Sequence, residues 1–362
     1  MDTISRFFEC LVPISKCNLK CSYCYVMQEG RRNTEAVKFV ATPEEIGRAF
    51  SQARVGGLAL INLCGFGETL IPKEMPQIIY EILKQGQYVN VTNNGTMSRR
   101  FQEIMNLCPV EYRNRLSFAF SFHYVELKNR NLLDEFINNV KYVRDNGCSF
   151  VVQLNLADEY IPLCDEIKDI CLKEFGALPQ IALTRRELND GSYEIMTSYP
   201  ENEYISVARS FNSPLFEFTL KNFNQKRTEF CYAGVWSYKV DLGSGMLRSC
   251  NCTEAHQNIY HDLNEPIKCR AVGNCCTSGY CVNSSHYMSL GVIPSIDTPS
   301  YVEVRNRPEA SWYQPEMQEF LSHQFTENHK EYSKMQKLIA NISQESRNVT
   351  ASLKKIAKKI LK

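Results

Sequence analysis

Six apolar segments of strand length alternate with helical patterns through the first half of the 362-residue chain. Each segment is apolar at nearly every position, which is typical of parallel strands buried on both faces. The predicted strands are residues 8–14, 58–63, 88–92, 116–122, 150–156 and 180–184, and the predicted helices are residues 43–55, 73–85, 98–107, 133–146 and 163–175. Six such units indicate either an open doubly wound α/β sheet or an incomplete barrel. In both architectures the functional site lies at the carboxyl ends of the strands.

The chain has no sequence signal for export or for a membrane-spanning helix. Its amino terminus lacks a basic start followed by an apolar block, and no apolar run approaches the roughly 18 residues of a spanning helix. A cytoplasmic location is therefore expected, where thiols stay reduced. The 16 cysteines are expected to bind metal, catalyse or pack in the core, and not to form disulfides. A net charge of +1 gives no electrostatic indication of nucleic acid binding.

Three cysteines, Cys17, Cys21 and Cys24, follow the first predicted strand with the spacing Cys-x3-Cys-x2-Cys. Three thiolates with so short a spacing can bind one soft metal centre. A structural zinc ion would need a fourth ligand nearby, and Cys10, within the strand, is the only other Cys or His between residues 5 and 38. Three thiolates leave one iron of a four-iron cluster open. The spacing therefore favours an iron–sulfur cluster with one free coordination position.

This spacing resembles that of the radical S-adenosylmethionine (SAM) enzymes, which carry Cys-x3-Cys-x-aromatic-Cys after the first strand of a (β/α)6 partial TIM-type barrel. Cys17, Cys21, Tyr23 and Cys24 match that motif residue for residue. The resemblance implies a four-iron cluster on the three cysteines, SAM bound to the open iron, and Tyr23 packed near the adenine. In that family the reduced cluster cleaves SAM, and the 5′-deoxyadenosyl radical abstracts hydrogen from a substrate.

The loop after the second predicted strand carries a further mark of this family. Gly65-Phe66-Gly67-Glu68 is similar to the family's Gly-Gly-Glu motif, which binds the ammonium group of SAM. Glycines allow the backbone to approach a ligand closely, and Glu68 supplies a negative partner for a positive group. A dinucleotide-binding fingerprint fits less well, because Leu70 stands where the third glycine belongs.

Other residues near strand ends are candidates for contacts with SAM or substrate. Ser121 matches the position of a SAM-binding serine in relatives, and Asn155 ends the fifth predicted strand. His123 is a candidate for proton transfer, or alternatively a hydrogen-bonded core residue. Cys64 directly precedes the Gly-x-Gly-Glu loop and is a candidate hydrogen-atom donor. Residues 92–95, Thr-Asn-Asn-Gly, resemble the family's Thr-Asn-Gly turn or form an ordinary turn.

A second cysteine block lies between residues 231 and 281. Cys231-x13-Gly245-x4-Cys250 resembles the first half of the auxiliary-cluster domain called SPASM, but the Cys-x2-Cys that continues that domain is absent. The block is therefore closer to the shortened, single-cluster form called Twitch. The implied ligands of one auxiliary four-iron cluster are Cys231, Cys250, one of Cys275 and Cys276, and Cys281. Two clusters, a zinc ribbon and a set of buried free thiols remain alternatives.

The predicted domains are a partial barrel at residues 1–195, a connecting region at 196–228, an auxiliary cluster domain at 229–300 and a helical tail at 301–362. Residues 330–362 contain nine Lys or Arg and two Glu. Within the tail, residues at heptad spacing form a seam that is apolar except for one serine: Met335, Ile339, Ile342, Ser346, Val349, Leu353, Ile356 and Ile360. Three interpretations stay open: a helix packed on its own domain, a dimerising coiled coil, or a basic amphipathic helix on a membrane surface.

Together these features predict a radical SAM enzyme supplied with electrons by a flavodoxin- or ferredoxin-like reductant. Because the first strand begins by about residue 8, no room is expected for an amino-terminal peptide-binding domain. That favours oxidation, epimerisation or rearrangement of a small molecule, such as a sugar, aminoglycoside or nucleotide-linked metabolite, or of a short peptide. A maturase of ribosomal peptides or protein side chains is the alternative. A non-catalytic iron–sulfur or zinc redox protein is the alternative of another class, although an electron carrier needs no ammonium-binding glutamate.

Overall fold

A computed structural model describes residues 3–28, 30, 37–188 and 192–360, without the side chains of residues 354–356 and 358–360. Its strands are β1 (Arg6–Val12), β2 (Ala59–Gly65), β3 (Tyr88–Asn93), β4 (Leu116–Ser121), β5 (Ser149–Leu156), β6 (Gln180–Leu183), β7 (Arg185–Glu187), β8 (Tyr193–Ile195), β9 (Ser237–Asp241), β10 (Met246–Arg248) and β11 (Ala255–Asn258).

The first six strands form a parallel sheet in chain order, β1-β2-β3-β4-β5-β6. Parallel strands in this order, joined by helices, are the topology of the predicted partial barrel, so the predicted fold class is confirmed. In register, Glu9 pairs with Asn62, and Asn62 pairs with Asn90. The Asn90 side-chain amide donates a hydrogen bond to Asn62 Oδ1 at 2.6 Å. This side of the sheet is therefore polar, although each strand is largely apolar in sequence.

Helices separate the strands as the sequence predicts. They are α1 (Tyr25–Gln28), α2 (Pro43–Ala49), α3 (Gln52–Val55), α4 (Met75–Lys84), α5 (Ser98–Leu107), α6 (Val110–Arg113), α7 (Tyr124–Asn129), α8 (Leu133–Asp145), α9 (Cys164–Phe175), α10 (Glu201–Arg209), α11 (Pro214–Asn222), α12 (Ser284–Tyr287), α13 (Tyr301–Arg305), α14 (Pro315–Ser322) and α15 (Lys334–Ile360). The helix predicted at 43–55 is instead two helices, because Ser51, with a ψ of 144°, turns the backbone out of helical geometry.

The sheet continues beyond the barrel on its other edge. Strand β9 pairs in parallel with β1, with Phe7 opposite Ser237 and Leu11 opposite Asp241. Strands β10 and β11 then add an antiparallel extension. The sheet thus runs across the boundary predicted at residue 229, and the domain boundaries stay predictions.

The amino-terminal ends of the barrel strands are covered by the segment after the second cysteine block. Phe150, near the start of β5, donates its N–H to the Trp312 carbonyl at 2.8 Å. The side chain of Gln180, the first residue of β6, donates to the Arg305 carbonyl at 3.1 Å. The Tyr88 ring at the start of β3 stacks on the Phe320 ring, with the two ring centres 3.6 Å apart. This covered end lies opposite the carboxyl ends, where the site residues are expected.

Helix α15 packs on the second cysteine block through polar side chains. Asn341 Oδ1 accepts a hydrogen bond from the Asn274 N–H at 3.0 Å, and Asn348 Nδ2 donates to the Cys275 carbonyl at 3.2 Å. The predicted seam points away from this contact, and its apolar members with described side chains are 59–64% exposed: Met335, Ile339, Ile342, Val349 and Leu353.

The prediction that this seam packs on its own domain is therefore wrong, because asparagine hydrogen bonds fix the opposite face of the helix. The coiled-coil and membrane-surface interpretations stay predictions. Lys362 and the side chains of Ile356 and Ile360 lie outside the described residues. Among the helices that the structure describes, none is long and apolar enough to cross a membrane.

Candidate active site

The cysteine loop, residues 15–24, leaves the carboxyl end of β1. Cys21 is buried, whereas Cys17 and Cys24 are half-buried. Burial raises the pKa of Cys21 to about 12, and the Cys17 and Cys24 thiols add to the rise, so both lie within electrostatic reach of Cys21. Cys17 Sγ accepts hydrogen bonds from the Leu19 N–H at 3.4 Å and from the Asn94 side-chain amide at 3.6 Å. Such donors stabilise a thiolate, which is the form that binds iron.

The Gly-x-Gly-Glu loop, residues 65–68, packs directly against the cysteine loop. The Glu68 N–H donates to the Lys16 carbonyl at 2.9 Å. A Cβ atom on Gly67 would lie 2.1 Å from the same oxygen, so only glycine fits at this position without a backbone shift. At Gly65 the one tight contact of a Cβ would be with the Ile14 side chain, at 3.0 Å. The second glycine therefore fixes the approach of the two loops.

The Glu68 carboxylate ties these loops to the end of β3. One oxygen accepts a hydrogen bond from the Leu70 N–H at 2.9 Å, and the other accepts from the Asn94 N–H at 2.7 Å. Burial raises the pKa of Glu68 to about 7, although both hydrogen bonds oppose that rise. The Asn94 side-chain amide also donates a hydrogen bond to Asn18 Oδ1 at 2.7 Å. The turn at 92–95 is thus connected to both the glutamate and the cysteine loop.

Tyr23 links the cysteine loop to two residues beyond the fourth and fifth strands. Its hydroxyl lies 2.5 Å from His123 Nδ1 and 3.0 Å from the Tyr160 hydroxyl. Burial lowers the pKa of His123 to about 4, so the ring is neutral near pH 7. Sequence reasoning singled out Tyr23 and His123 separately and missed Tyr160, which lies in a 3-10 helix with no recognisable motif. The structure joins all three in one hydrogen-bonded chain.

A cavity of about 490 Å³ opens beside this chain. It is lined by Tyr23 and Ser22 of the cysteine loop, by Ala157 just after β5 and by Thr184 just after β6. Small-molecule sites usually have volumes of about 300–1,000 Å³. The cavity is therefore large enough for a nucleoside-sized ligand at the carboxyl ends of the strands.

The remaining barrel candidates occupy different positions around the strand ends. Ser121, at the end of β4, lines a smaller cavity inside the barrel. Asn155 is half-buried on β5, opposite Ala182 of β6. Cys64 lies near Glu9, and burial together with that carboxylate raises the pKa of its thiol far above the usual range. The Cys64 sulfur therefore keeps its proton.

Glu9 is a site residue that sequence reasoning missed. Both carboxylate oxygens accept from the Asn283 side-chain amide, at 2.8 and 2.7 Å, and one also accepts from the Tyr287 hydroxyl at 2.7 Å. The Lys239 ammonium lies 3.8 Å from Glu9 Oε1. A lone acid within an otherwise apolar strand was the available signal, because charged residues are seldom buried without partners. Glu9 joins the barrel to the region after the second cysteine block.

The second cysteine block brings five thiols together. Burial raises the pKa of Cys231, and Cys250, Cys281 and Cys276 add to that rise, which places all four within electrostatic reach of one another. The Cys252 thiol interacts with both Cys250 and Cys276. The structure therefore assembles the implied set, with Cys252 as an additional neighbour.

Cys275 lies apart from this group. Its sulfur contacts the Asn341 carbonyl at 3.6 Å and the Glu345 carboxylate at 3.9 Å, both on α15. The Cys276 thiol instead interacts with Cys252 and raises the pKa of Cys231 and Cys281. Of the two candidates, Cys276 is the one placed with Cys231, Cys250 and Cys281.

The donor chemistry at both cysteine groups fits iron–sulfur clusters. All ligand candidates are thiols, and a four-iron cluster takes one cysteine thiolate per iron. Among the described residues, no three Cys, His, Asp or Glu side chains are arranged to hold a single metal ion. The Leu19 and Asn94 donors to Cys17 are of the kind that tunes cluster thiolates.

Residues 11–158 match the family model described as the Radical SAM superfamily. Residues 11–158 form a radical SAM domain. The match includes Cys17, Cys21 and Cys24, the Gly-x-Gly-Glu loop and Ser121. Members of this superfamily are enzymes that use a four-iron cluster and SAM.

Curated relatives match a smaller part of the chain. A probable GTP 3′,8-cyclase of Archaeoglobus fulgidus is 32% identical over 93 residues, which cover 26% of this chain and 29% of the relative. A probable GTP 3′,8-cyclase of Methanococcus maripaludis strain C7 is 36% identical over 90 residues, which cover 24% and 28%. The matched region thus spans less than a third of these relatives.

Solved structures resemble a larger part of the chain at lower identity. SuiB of Streptococcus suis bound to SAM has a TM-score of 0.48 and 15% identity, covering 73% of this chain and 65% of SuiB. Native anSMEcpe with bound SAM has a TM-score of 0.49 and 13% identity, covering 71% and 79%.

Proposed function

We propose that this chain binds a four-iron cluster at Cys17, Cys21 and Cys24 and cleaves SAM reductively to act on a small molecule. The observation that carries the proposal is the contact between the Gly-x-Gly-Glu loop and the cysteine loop. Gly67 and the Glu68 N–H meet the Lys16 carbonyl directly beside Cys17. An ammonium-binding loop and a metal-binding loop are thereby held as one unit. A protein that only carried electrons would need the thiols alone.

The bound cluster would supply the electron that breaks the C–S bond of SAM, and the chain's own residues orient the reactants. Glu68 provides the negative charge for the SAM ammonium. Both of its oxygens already accept a backbone N–H, but each carboxylate oxygen has a second lone pair. Ser121 and Asn155 are proposed to contact SAM from the ends of β4 and β5.

The adenosyl part of SAM is proposed to occupy the cavity of about 490 Å³ lined by Tyr23. His123 and Tyr160 hold the Tyr23 hydroxyl, which fixes the ring at the cavity wall. His123 is thus proposed to position Tyr23, and its Nε2 atom is the one that would take part in any proton transfer.

Cys64 is proposed as a hydrogen-atom donor because its thiol keeps its proton beside Glu9. Transfer of a hydrogen atom from Cys64 Sγ to a substrate radical forms a C–H bond and leaves a thiyl radical. One electron and one proton then restore the thiol. A flavodoxin- or ferredoxin-like protein is the proposed source of that electron.

An auxiliary four-iron cluster is proposed at Cys231, Cys250, Cys276 and Cys281, the thiols that lie within electrostatic reach of one another. In an oxidation it would accept an electron from the substrate radical, and in a redox-neutral reaction it would position the substrate. Cys252 and Cys269 leave a second auxiliary cluster as an alternative.

The proposed substrate is a small molecule, such as a sugar, aminoglycoside or nucleotide-linked metabolite. The names of the partly matching relatives, probable GTP 3′,8-cyclases, support a nucleotide or another small molecule. Modification of a peptide is the alternative, and it would predict a gene for a precursor peptide beside this one.

Anaerobic reconstitution tests the enzyme proposal. Cluster-loaded protein with dithionite and SAM is expected to release 5′-deoxyadenosine, and Cys24→Ala is expected to abolish the release. Cys171→Ala is a matched control, since this thiol lies on α9 and is buried in the core. Fully loaded protein that forms no 5′-deoxyadenosine would refute the proposal and favour an electron carrier.

Iron and sulfide counts test the number of auxiliary clusters. A Cys17/Cys21/Cys24 triple Ala variant that retains about four irons per chain supports one auxiliary cluster, and about eight supports two.

A further inference from the structure

A second cavity, of about 110 Å³, lies inside the barrel. Its walls include Thr92 of β3, Ser121 of β4 and Gln153 of β5, and its floor includes Tyr301 and Arg305 of α13. Ser121 is at the carboxyl end of its strand, whereas α13 covers the amino-terminal end of the barrel. The cavity therefore extends from the proposed SAM contact toward the floor of the barrel, and it has room for a small polar group.

Arg305 places a buried positive charge at this floor. The residue is only 5% exposed. Its guanidinium donates to the Ser285 carbonyl at 2.5 Å and to the Ser285 hydroxyl at 3.0 Å, and it lies 4.2 Å from the centre of the Tyr301 ring. Within the described residues no carboxylate lies within 4.0 Å of it. A guanidinium has five N–H donors, so these two hydrogen bonds leave three of them for another partner.

Two other buried charges show how this protein ordinarily satisfies such groups. Arg307, also buried, donates to the carbonyls of Leu178, Pro179, Phe211 and Asn212 at 2.8–3.3 Å. Glu9 accepts from Asn283 and Tyr287 and has Lys239 nearby. A buried charge without compensation costs several kcal/mol. Arg305 differs from both residues. Among the described residues it has no opposite charge nearby, as Glu9 has, and its hydrogen bonds go to a single serine, whereas those of Arg307 go to four backbone carbonyls.

The cavity walls also offer polar groups that the protein does not use. In the described part of the chain, no protein group hydrogen-bonds the side chains of Thr92, Ser121 and Gln153. Two hydroxyl groups and one amide therefore face the same space as the Arg305 guanidinium. A cation combined with neutral donors at short range is the arrangement that recognises carboxylate or phosphate oxygens.

We propose that the barrel cavity binds an anionic group of the substrate, a carboxylate or a phosphate, with Arg305 as its counter-ion and Gln153 and Thr92 as hydrogen-bond donors. This inference rests on the proposed function, because it makes the cavity the substrate side of the proposed SAM site. It narrows the substrate class to small molecules that carry a negative charge at one end, and it makes Arg305 and Gln153 specificity-determining residues.

Isothermal titration calorimetry of the cluster-loaded protein with sodium acetate and, separately, with inorganic phosphate tests this site. Wild type is expected to bind at least one of the two probes. Binding of acetate indicates a carboxylate substrate, and binding of phosphate alone indicates a phosphorylated one. Arg305→Met is expected to weaken binding at least about tenfold, because a charge-assisted contact is lost. Arg209→Met, which removes an exposed ion pair with Glu217, is expected to bind as wild type does.

Gln153→Glu keeps the inference testable if Arg305→Met does not fold. In wild type the Gln153 side chain has no hydrogen-bond partner among the described residues, so the change breaks no internal hydrogen bond. The new carboxylate shares the cavity with Arg305 and replaces the anion internally. Gln153→Glu is therefore expected to lose anion binding at least about tenfold while its thermal midpoint stays equal to or above that of wild type.

The inference is overturned if wild type binds neither probe, or if Gln153→Glu binds both as tightly as wild type. The release of 5′-deoxyadenosine by wild type, measured in parallel, separates this failure from failure of the proposed function. Release without anion binding rejects only the cavity assignment, whereas absence of release rejects the enzyme proposal itself.

Discussion

Gly67 lies against Lys16 so closely that a Cβ atom at position 67 would be 2.1 Å from the Lys16 carbonyl oxygen. The same oxygen accepts the Glu68 N–H at 2.9 Å. The glycine is thus needed for contact between two loops, in addition to any contact with a ligand. The position of the cysteine loop, and therefore of its three thiols, depends on a residue that binds no metal.

Gly67→Ala is expected to lower cluster loading of the amino-terminal site. The added methyl group must displace the Lys16 backbone, and forcing extra volume into a packed contact costs about 1–3 kcal/mol. Iron and sulfide content after anaerobic reconstitution measures the effect. Gly65→Ala is the matched control, because the one tight contact of its methyl group is with the Ile14 side chain, at 3.0 Å, and that side chain can move. Equal loading of the two variants would contradict the role assigned to Gly67.

Glu68 is expected to make stability depend on pH. Burial raises its pKa from 4.5 to about 7, so the folded chain holds a proton that the unfolded chain releases. This contribution is fully present below pH 4.5 and is lost as pH rises toward 7, with a span of up to about 3 kcal/mol. Urea unfolding at pH 5.5–8 measures this effect. The free energy of unfolding of Glu68→Gln, relative to that of wild type, should rise until about pH 7 and stay constant above it.

A pH-independent difference would mean that the Glu68 carboxylate is not the titrating group. Glu166→Gln is a useful contrast, because Lys128 holds the pKa of that exposed carboxylate below its usual value. Its contribution to stability is fully present above about pH 4.5 and is lost only as pH falls below that value. Glu166→Gln should therefore differ from wild type by a constant amount between pH 5.5 and 8.

The barrel could be predicted from sequence because strands covered on both faces are apolar at almost every position. The observed α5, Ser98–Leu107, has the predicted bounds, and β1, Arg6–Val12, begins two residues earlier than expected. Strand β9 could not be predicted, because it is short and pairs with β1 across more than 200 residues of chain. Local periodicity carries no information about such a partner.

The two candidate cysteine groups could be recognised in the sequence because their spacing is a local pattern, whereas the residues that surround them come from distant segments. Tyr160 and Arg305 reach their sites only through the tertiary fold. The heptad spacing of α15 correctly predicted a long helix but not which face it buries. Asn341 and Asn348 fix that face, because their hydrogen bonds to the second cysteine block would be lost if the helix turned over.

Tyr23 and His123 are expected to be energetically coupled. Their short contact is a hydrogen bond between neutral groups near pH 7, because burial lowers the pKa of His123 to about 4. A double-mutant cycle with Tyr23→Phe and His123→Leu should give a coupling of about 0.5–3 kcal/mol in unfolding free energy. Tyr88→Phe is the control partner, since Tyr88 begins β3 at the opposite end of the barrel and should add independently to Tyr23→Phe. Additive effects of Tyr23→Phe and His123→Leu would contradict the coupling.

Cys275 and Cys276 are expected to differ in their effect on the auxiliary site. Cys276 lies with Cys231 and Cys281, whereas the Cys275 sulfur faces Asn341 and Glu345 on α15. Cys276→Ala should therefore lose about four irons per chain, while Cys275→Ala should keep the wild-type iron content. Because the two residues are adjacent, each variant controls for disturbance of the loop by the other. If Cys275→Ala loses iron and Cys276→Ala retains it, the assignment is reversed. If both variants retain iron, neither residue is a ligand, and Cys252 is left as the fourth thiol.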